Sequence, residues 1–390
     1  MNQILKKVAV ISGILFVLGI ISMVVGMNLG GQLTYAFNLK SHKVYVPTDE
    51  EMQYVDNTVD VEVFDSIDVE LGNVDVEIKQ GECYQVQYHM TSFDKPVIEV
   101  KDNNLIIRNE EDKVATYGWS FGMFGLRNAS LVNEEQKKLI VTIPKNVKLE
   151  NVKACSEFGD INAYDLQMES LEIKADSGDL SLQKIETVNG TILAEFGKVN
   201  LEEIEAVELV VEAASGNVSF EDISADIVEV VAEYGDVVMK DLNGETCTIK
   251  AQSGECNLDT IQLVNLTVTA EFGGVNLSGI EADKIVVDAD SGNITCRDMV
   301  ANTSECKAEY GDISIENAIM DNMNIICESG DCDIRLTGDV AEYDVDITVD
   351  SGVLEINGEE QGDKYKSTSK KGKSIIISSE YGDVNLQIKE

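Results

Sequence analysis

The sequence predicts an all-β protein, a β-solenoid of 19-residue repeats, preceded by one N-terminal transmembrane helix. Glycine recurs at every nineteenth position from Gly159 to Gly330, and a fixed period of this length is typical of solenoids and repeat arrays. Apolar and polar residues alternate on both sides of each glycine, which is the pattern of β-strands. An uncharged run near the N-terminus has the length of one membrane span. Positions below are counted from the repeat glycine, which is position 0.

Residues 1–43 differ from the rest of the chain, because they hold four lysines and no acidic residue. Residues 8–31 are uncharged and rich in Val, Ile, Leu and Met, long enough for a spanning helix of roughly 20 residues. A secretory signal has a shorter apolar core and a small-residue cleavage site, so an uncleaved anchor is favoured over a cleaved signal. Lys6 and Lys7 predict a cytoplasmic N-terminus. The protein is then expected to span the cell membrane once, with the bulk of the chain extracytoplasmic.

Residues 44–151 are expected to form an irregular β region that starts and caps the stack. Ile67, Val69, Gly72, Val74 and Val76 match positions −5, −3, 0, +2 and +4 of the repeat. Four further runs have the composition of strands: residues 83–89, 97–101, 104–108 and 138–143.

Residues 152–356 carry the repeats. Apolar or small residues occupy positions −7, −5, −3, +2, +4 and +7, as in Leu171, Ile173, Ala175, Leu180, Leu182 and Ile185 around Gly178. We expect two short strands in each coil, joined by the glycine turn and by a second turn. Because strands this short cannot bury their apolar face alone, successive coils should stack about 4.8 Å apart and share one core.

Position −1 adds a second period, because aromatic residues and serine alternate there. The series is Phe158, Ser177, Phe196, Ser215, Tyr234, Ser253, Phe272, Ser291, Tyr310 and Ser329. Either one coil is a single 19-residue repeat and each ring covers a neighbouring serine, or one coil is a 38-residue pair of repeats and rings stack on rings. The smaller coil is favoured, because single side chains can fill it.

Residues 357–390 are expected to close the far end of the stack. A Lys-rich loop at residues 363–373 precedes the last strands, which carry a final repeat-like turn at residues 380–383.

Composition excludes several classes of function. The net charge is −41, with 71 acidic and 30 basic residues, so nucleic acid is not an expected partner because its phosphates require Lys and Arg. Residues 118–122 match the G-x-S-x-G motif of hydrolases, but both histidines, His42 and His89, precede the motif and no helical pattern follows it. We therefore expect no enzyme activity, no catalytic residue and no cofactor other than a possible Ca²⁺.

Six of the eight cysteines occupy core positions of the repeat. They are Cys247, Cys256, Cys296, Cys306, Cys327 and Cys332. Cys306 and Cys327 lie on adjacent coils but are offset by two residues, beyond the roughly 7 Å limit for a disulfide. These cysteines are interpreted as small core residues, and zinc is not expected because no C-x-x-C pair occurs.

An aromatic segment at residues 117–126 holds the only tryptophan. One interpretation is a flap that covers an open end of the solenoid, since exposed strand edges invite aggregation. The other is a hydrophobic contact with a partner or the membrane through Tyr117, Trp119, Phe121 and Phe124.

Acidic columns are the best candidates for a binding site. Stacking should place the carboxylates of positions −2 and +1 along one edge, about 5–10 Å apart. Bound Ca²⁺ could screen the repulsion between these like charges. The candidate ligands are Glu157, Asp160, Asp176, Asp179, Glu195, Glu233, Asp236, Glu271, Asp290, Glu309, Asp312, Glu328 and Asp331. The alternative is that these are solvated turn residues, because Asp and Asn suit tight turns.

The chain resembles the bacterial putative-adhesin family, a domain of unknown function. The resemblance rests on the recurring Ser-Gly-Asp or Tyr-Gly-Asp turn, the opening residues 64–69, and the strand at residues 139–144 before the repeats. It implies an envelope-located β-solenoid, with some members linked to cell-envelope stress systems, and it brings no catalytic residue set.

The function expected is a membrane-anchored, extracytoplasmic, non-enzymatic module for surface binding or scaffolding. Its partners would be the membrane, through the N-terminal helix, and an envelope protein or surface ligand. The alternative is an accessory or regulatory protein of an envelope-stress system that contacts a membrane partner. A carbohydrate-active solenoid enzyme is disfavoured, because an active site should interrupt the uniform repeat locally.

Overall fold

The computed structural model describes residues 53–109 and 136–389 continuously, together with residues 12, 15–19, 21–22, 25, 36–38, 43–45 and 50. Residues 15–19, 21, 22 and 25 are helical. None of the helical stretches within these described residues has both the length and the hydropathy of a membrane span. Most of the predicted span at residues 8–31 lies outside the described residues.

The described fold is almost entirely β. In chain order the strands are β1 (Ala36–Asn38), β2 (Lys43–Tyr45), β3 (Tyr54–Asp60), β4 (Ser66–Leu71), β5 (Asp75–Gly81), β6 (Gln85–Thr91), β7 (Pro96–Lys101), β8 (Asn104–Asn109), β9 (Lys138–Pro144), β10 (Lys148–Ser156), β11 (Ile161–Ser177), β12 (Leu180–Phe196), β13 (Val199–Ser215), β14 (Val218–Tyr234), β15 (Val237–Ser253), β16 (Cys256–Phe272), β17 (Val275–Ser291), β18 (Ile294–Arg297), β19 (Val300–Tyr310), β20 (Ile313–Ser329), β21 (Cys332–Thr337), β22 (Tyr343–Ser351), β23 (Leu354–Ile356), β24 (Glu359–Gln361), β25 (Lys364–Ser367), β26 (Lys373–Tyr381) and β27 (Val384–Lys389). A 3₁₀ helix at Val340–Glu342 precedes β22.

The chain divides into two compact units. The first comprises residues 1–56, 89–97 and 108–136. Within it, β1 pairs antiparallel with β2. The rings of Tyr54 and His89 stack with centroids 5.0 Å apart, and Nδ1 of His89 lies 2.8 Å from Oδ1 of Asp56. The second unit comprises residues 57–88, 98–107 and 137–390.

The second unit is a parallel β-solenoid in which each coil is one sequence repeat. Ile161 pairs with Leu180, Leu180 with Val199, and the same shift continues along the repeats. The 38-residue coil is therefore excluded. At the turn, the coils approach so closely that only glycine fits. Gly216 has φ +137°, and a Cβ there would lie 1.8 Å from the carbonyl oxygen of Gly197.

Each regular coil holds one 17-residue strand, so the predicted pair of short strands is wrong. Besides the glycine turn, the parallel pairing is interrupted at positions +6 and +10 of each regular coil. The corner at position +6 is a single residue. Asp165, Glu203 and Asp222 have φ values of 54°, 53° and 55° there. This left-handed conformation is accessible to single polar residues, which bend the strand without a loop.

The core consists of the alternating residues that the pattern predicted. Ile173, Ala175 and Val268 are all fully buried. The six predicted core cysteines are buried as well, while Cys155 is half-buried and Cys83 is exposed. All eight cysteines are free thiols.

At the N-terminal end, β4 and β5 form the first coil, but the predicted register is wrong by two residues. Val152 pairs with Ile67 and Ile161 pairs with Val76, so Val74 rather than Gly72 lies opposite Gly159. A slip of two residues keeps every side chain on the same face of a strand. The apolar pattern alone therefore could not detect it.

At the C-terminal end, the coils stack out of chain order. Strand β26 lies between β20 and β22, and β27 lies between β21 and β23. Strands β24 and β25 pair antiparallel with the outer coil. The predicted cap of residues 357–390 is thus only partly correct: residues 359–367 cover the last coil, whereas residues 373–389 are inserted one coil earlier.

Candidate functional site

The most regular surface of the solenoid is its turn edge, defined as positions −2 to +1 of every coil. The tight glycine turn brings the side chains at −2, −1 and +1 to the outside. Because the coils pair in register, each of these positions forms a column that runs along the stack.

The +1 column is a chain of side-chain to backbone hydrogen bonds. The backbone N–H of Asp179 donates to Oδ1 of Asp160 at 2.8 Å, and that of Asp331 donates to Oδ1 of Asp312 at 2.9 Å. Asn217 accepts in the same way from the N–H of Asp236, at 3.1 Å. Because an uncharged Asn accepts in the same way, this hydrogen bond depends on a side-chain oxygen rather than on a charge. Lys198 and Gly274 occupy position +1 on two other coils.

The −2 column carries carboxylates that are partly paired with lysines of the protein. Lys174 Nζ lies 2.8 Å from Oδ1 of Asp176 and 3.9 Å from Oε1 of Glu195. Lys307 Nζ lies 2.7 Å from Oε1 of Glu309. The hydrogen bonds to Asp176 and Glu309 raise the pKa of these two lysines above its usual value. Exposed ion pairs of this kind contribute little to stability, at most about 1 kcal/mol each.

The thirteen predicted Ca²⁺ ligands therefore all lie on the turn edge, in the two columns. Within the part of the chain that the structure describes, no group of three or more His, Cys, Asp or Glu side chains is arranged to hold a metal ion. Calcium binding by these columns stays a prediction. The four predicted partner-contact residues, Tyr117, Trp119, Phe121 and Phe124, lie outside the described residues.

The −1 column contains exposed aromatic rings, to which the sequence pattern assigned no function. Each ring pairs directly with a serine on the next coil, as Phe196 does with Ser215 and Tyr234 with Ser253. Phe196 is 61% exposed and Tyr310 is 67% exposed, so these rings do not belong to the core.

A shallow depression is lined by positions −4 to −2 of four neighbouring coils, among them the coil where position −2 is Ala214. Its volume is about 220 Å³. Carboxylates of Glu195, Glu212 and Glu233 line it, together with the ammonium of Lys174. The shorter Ala214 side chain leaves open the space that a −2 carboxylate fills on most other coils.

A larger groove, of about 570 Å³, follows the left-handed corners at positions +6 to +8. Buried apolar residues such as Ile185 and Ile204 alternate there with exposed acids such as Glu186 and Glu205. The apolar position +7 repeats along the groove, whereas positions +6 and +8 vary in residue type from coil to coil.

One family profile and several solved structures match the chain. The sequence profile described as Toastrack DUF4097 matches residues 64–259 and 228–387. The chain is similar to solved structures described as putative adhesins. One, from Bacteroides fragilis, is 16% identical with a TM-score of 0.35, and 68% of this chain and 97% of that chain are covered. One from Parabacteroides merdae is 12% identical with a TM-score of 0.34, and 70% of this chain and 95% of that chain are covered. One from Parabacteroides distasonis is 13% identical with a TM-score of 0.31, and 86% of this chain and 97% of that chain are covered. No curated protein matches the chain significantly.

Proposed function

This chain belongs to the Toastrack DUF4097 family, and from that premise we propose that it is a non-enzymatic binding or scaffolding module of the cell envelope, anchored in the membrane by its N-terminal segment. The observation that carries the proposal is the turn edge, which presents the same kinds of exposed side chains on coil after coil. A catalytic site would need one local interruption of this pattern, with side chains that the other coils lack.

Repetition of one surface favours binding to an extended or repeated partner. Each coil offers one weak contact, and neighbouring contacts on a rigid support act at high effective concentration. The parallel backbone ladder provides that support, because every coil between the first and the last is hydrogen-bonded to the coils on both sides.

Two features support the membrane anchor. Residues 8–31 are uncharged, and Lys6 and Lys7 precede them, the charge pattern of a cytoplasmic N-terminus. Leu15, Phe16 and Val17 are helical and have exposed apolar side chains, which a bilayer would cover. In this topology the acidic solenoid lies outside the cytoplasm.

Cys83 provides a direct test of this topology. It is the exposed cysteine of the described chain, whereas burial raises the pKa of the half-buried Cys155 thiol and slows its reaction. Intact cells that express the full chain are treated with a membrane-impermeant maleimide after mild reduction, and the Cys83→Ser variant serves as the matched control. We expect labelling of wild type in intact cells. Labelling only after the membrane is broken would contradict the proposed location.

Binding is tested by co-sedimentation of the detergent-solubilised full chain with isolated bacterial cell envelopes. We expect retention that falls when turn-edge residues are replaced. It should persist when acids at position +8, such as Glu186 and Glu205, become Gln. Absence of retention would contradict the binding function, and release of soluble envelope fragments by the chain would indicate an enzyme. Retention only through one membrane protein would instead favour the accessory role in envelope stress.

A further inference from the structure

The exposed rings at position −1 form a ring column that the fold itself does not require. Its described members are 50–67% exposed. They are Phe158, Phe196, Tyr234, Phe272, Tyr310 and Tyr381. Serine occupies the same position on every intervening coil, so the turn does not need a ring to form.

The alternation of ring and serine follows the order of coils in space rather than in sequence. Along the chain, the last three residues at this position are Ser329, Ser351 and Tyr381, which breaks the alternation. In the stack, Tyr381 pairs with Ser329 on one side and with Ser351 on the other. A simple duplication of 38-residue segments would not produce this arrangement. The alternation is therefore a property of the finished surface.

Every ring of the column directly follows a glutamate. These glutamates are Glu157, Glu195, Glu233, Glu271, Glu309 and Glu380. On the serine coils the same position varies between Asp, Ala, Gln and Glu, as Asp176, Ala214 and Gln252 illustrate. The ring and the glutamate thus recur as one pair, termed here the Glu–ring pair. Both members of the pair attract cations, the carboxylate through its charge and the ring through its quadrupole.

The depression at Ala214 is lined by Glu195 and Glu233, the glutamates of two consecutive Glu–ring pairs. It is open to solvent and bordered by three carboxylates against one lysine. An aliphatic stem could cover Ala213 and Ala214 while its charged end reached Glu195 or Glu233, as Lys and Arg side chains commonly arrange themselves.

The spacing of the pairs narrows the identity of the ligand. Rings recur on every second coil, and strands lie about 4.8 Å apart, so successive pairs lie about 9.6 Å apart. A polyproline II helix has three residues in each turn and rises about 3.1 Å per residue, so every third side chain recurs after about 9.3 Å. Aromatic-lined surfaces are a known mode of recognition for this conformation.

We propose that the ring column binds a cationic peptide segment in the polyproline II conformation, with Lys or Arg at every third residue. Its positive side chains contact consecutive Glu–ring pairs. The net charge of −41 complements such a ligand and repels anionic polymers. This inference rests on the proposed binding function and assigns its site and the chemical class of its partner.

The test uses synthetic peptides and the detergent-solubilised full chain at about 0.15 M salt, where exposed charges are strongly screened. The probes are a Lys-Pro-Pro repeat, a Lys-Pro-Pro-Pro repeat with equal charge, and a Glu-Pro-Pro repeat, with affinity measured by fluorescence anisotropy. We expect the Lys-Pro-Pro repeat to bind more tightly than the Lys-Pro-Pro-Pro repeat, because only its lysines match the column, and the acidic repeat not to bind.

The matched variants remove rings without changing the charge. Tyr234→Ser with Phe272→Ser introduces the residue that neighbouring coils already carry, and should weaken binding about tenfold through two lost cation–π contacts. Val207→Ser with Val264→Ser changes two exposed apolar residues at position +10 and should leave the affinity unchanged. Circular dichroism checks that both variants keep the β fold.

Equal affinity for the two lysine spacings, or an unchanged affinity after ring removal, would overturn the proposal and leave only non-specific attraction. Preferential binding of a neutral glycan by the rings would also overturn it, in favour of a carbohydrate ligand. Failure of these peptides to bind, while the chain still sediments with envelopes, would refute this inference alone. If the chain neither sediments with cell envelopes nor is labelled at Cys83 in intact cells, the proposed function itself is refuted.

Discussion

Two adjacent glycines in one turn, Gly273 and Gly274, are expected to respond in opposite ways to alanine. Gly273 has φ +156°, and a Cβ there would lie 1.9 Å from the carbonyl oxygen of Gly254. At Gly274, the nearest heavy atom to a new Cβ is the carbonyl oxygen of Asn293 at 3.4 Å. Gly273→Ala must therefore displace the backbone of the neighbouring coil. In Gly274→Ala, the new Cβ lies at an ordinary van der Waals distance from its nearest neighbour.

The expected loss for Gly273→Ala is about 3–5 kcal/mol, as the sum of a backbone and a hydrogen-bond contribution. A side chain held at this φ costs about 1–3 kcal/mol. Separation of the coils also weakens two turn hydrogen bonds, Gly273 N–H to Ser291 O at 3.0 Å and Gly254 N–H to Phe272 O at 3.1 Å, each contributing about 1 kcal/mol. Gly274→Ala should be neutral or stabilise by about 0.4–1 kcal/mol, because it restricts the unfolded chain.

Urea unfolding followed by circular dichroism measures the difference in stability between these variants. Because repeat proteins can unfold coil by coil, hydrogen exchange of peptides from residues 254–291 locates the loss. Wild-type behaviour of Gly273→Ala, or an equal loss in both variants, would refute the argument that the close approach of coils selects glycine at position 0.

Three further predictions concern the core, the turn edge and the C-terminal loop. Phe220→Ala should cost about 3–5 kcal/mol in urea unfolding, because Phe220 is 1% exposed, whereas Phe196→Ala, at an exposed ring, should change stability by less than about 0.5 kcal/mol; equal losses would contradict the assigned core. Asp312→Asn should be neutral and Asp312→Ala should lose about 0.5–1.5 kcal/mol, since Oδ1 of Asp312 accepts the N–H of Asp331; a loss with Asn would mean that the charge matters. The N–H groups of Lys370 and Ser369 lower the pKa of Asp344 below its ordinary 3.8, so its contribution to stability is complete above that pH and is lost as the pH falls through the lowered pKa. The Tm difference between wild type and Asp344→Ala should therefore shrink in acid, and a constant difference from pH 6 to pH 2 would refute this role.

The repeat and its core could be predicted from the sequence because the signal is periodic. Glycine at every nineteenth residue and apolar residues at fixed offsets specify the repeat length and the buried face, and the six core cysteines fall on that face. The sequence predicts a second turn but not its left-handed conformation at a single residue, because Asp165, Glu203 and Thr260 resemble ordinary exposed residues of a strand. Their signal is the absence of large apolar residues at position +6 of the nine coils from Asp165 to Asn317.

Errors arose where different arrangements satisfy the same pattern. The offset between Gly72 and Val74 preserves the faces of the strand, so only the pairing with β10 reveals it. The insertion of residues 373–389 between earlier strands is non-local, and two coils with the same apolar pattern can exchange places in the stack. The alternation at position −1 could have indicated the true order, because only Ser329, Tyr381, Ser351 continues it.

The candidate site was recognised only in part. The carboxylates of positions −2 and +1 were found, but the backbone hydrogen bonds that explain Asp and Asn at +1 require neighbouring coils to be seen together. The Glu–ring pair is visible in the sequence at Glu195–Phe196 and Glu233–Tyr234. Its exposure, which makes it a candidate for binding, depends on the geometry of the turn.

The central claim is that 19-residue coils stack in register and so place the Glu–ring pairs along one edge. Nitroxide labels on Ser177→Cys and Ser291→Cys, in the full chain with Cys83→Ser, test it through the distance between the labels measured by double electron–electron resonance. Six coils separate these positions, so we predict a distance of about 29 Å. A distance near half that value would mean 38-residue coils, and it would contradict both the stacking and the spacing on which the ring column depends.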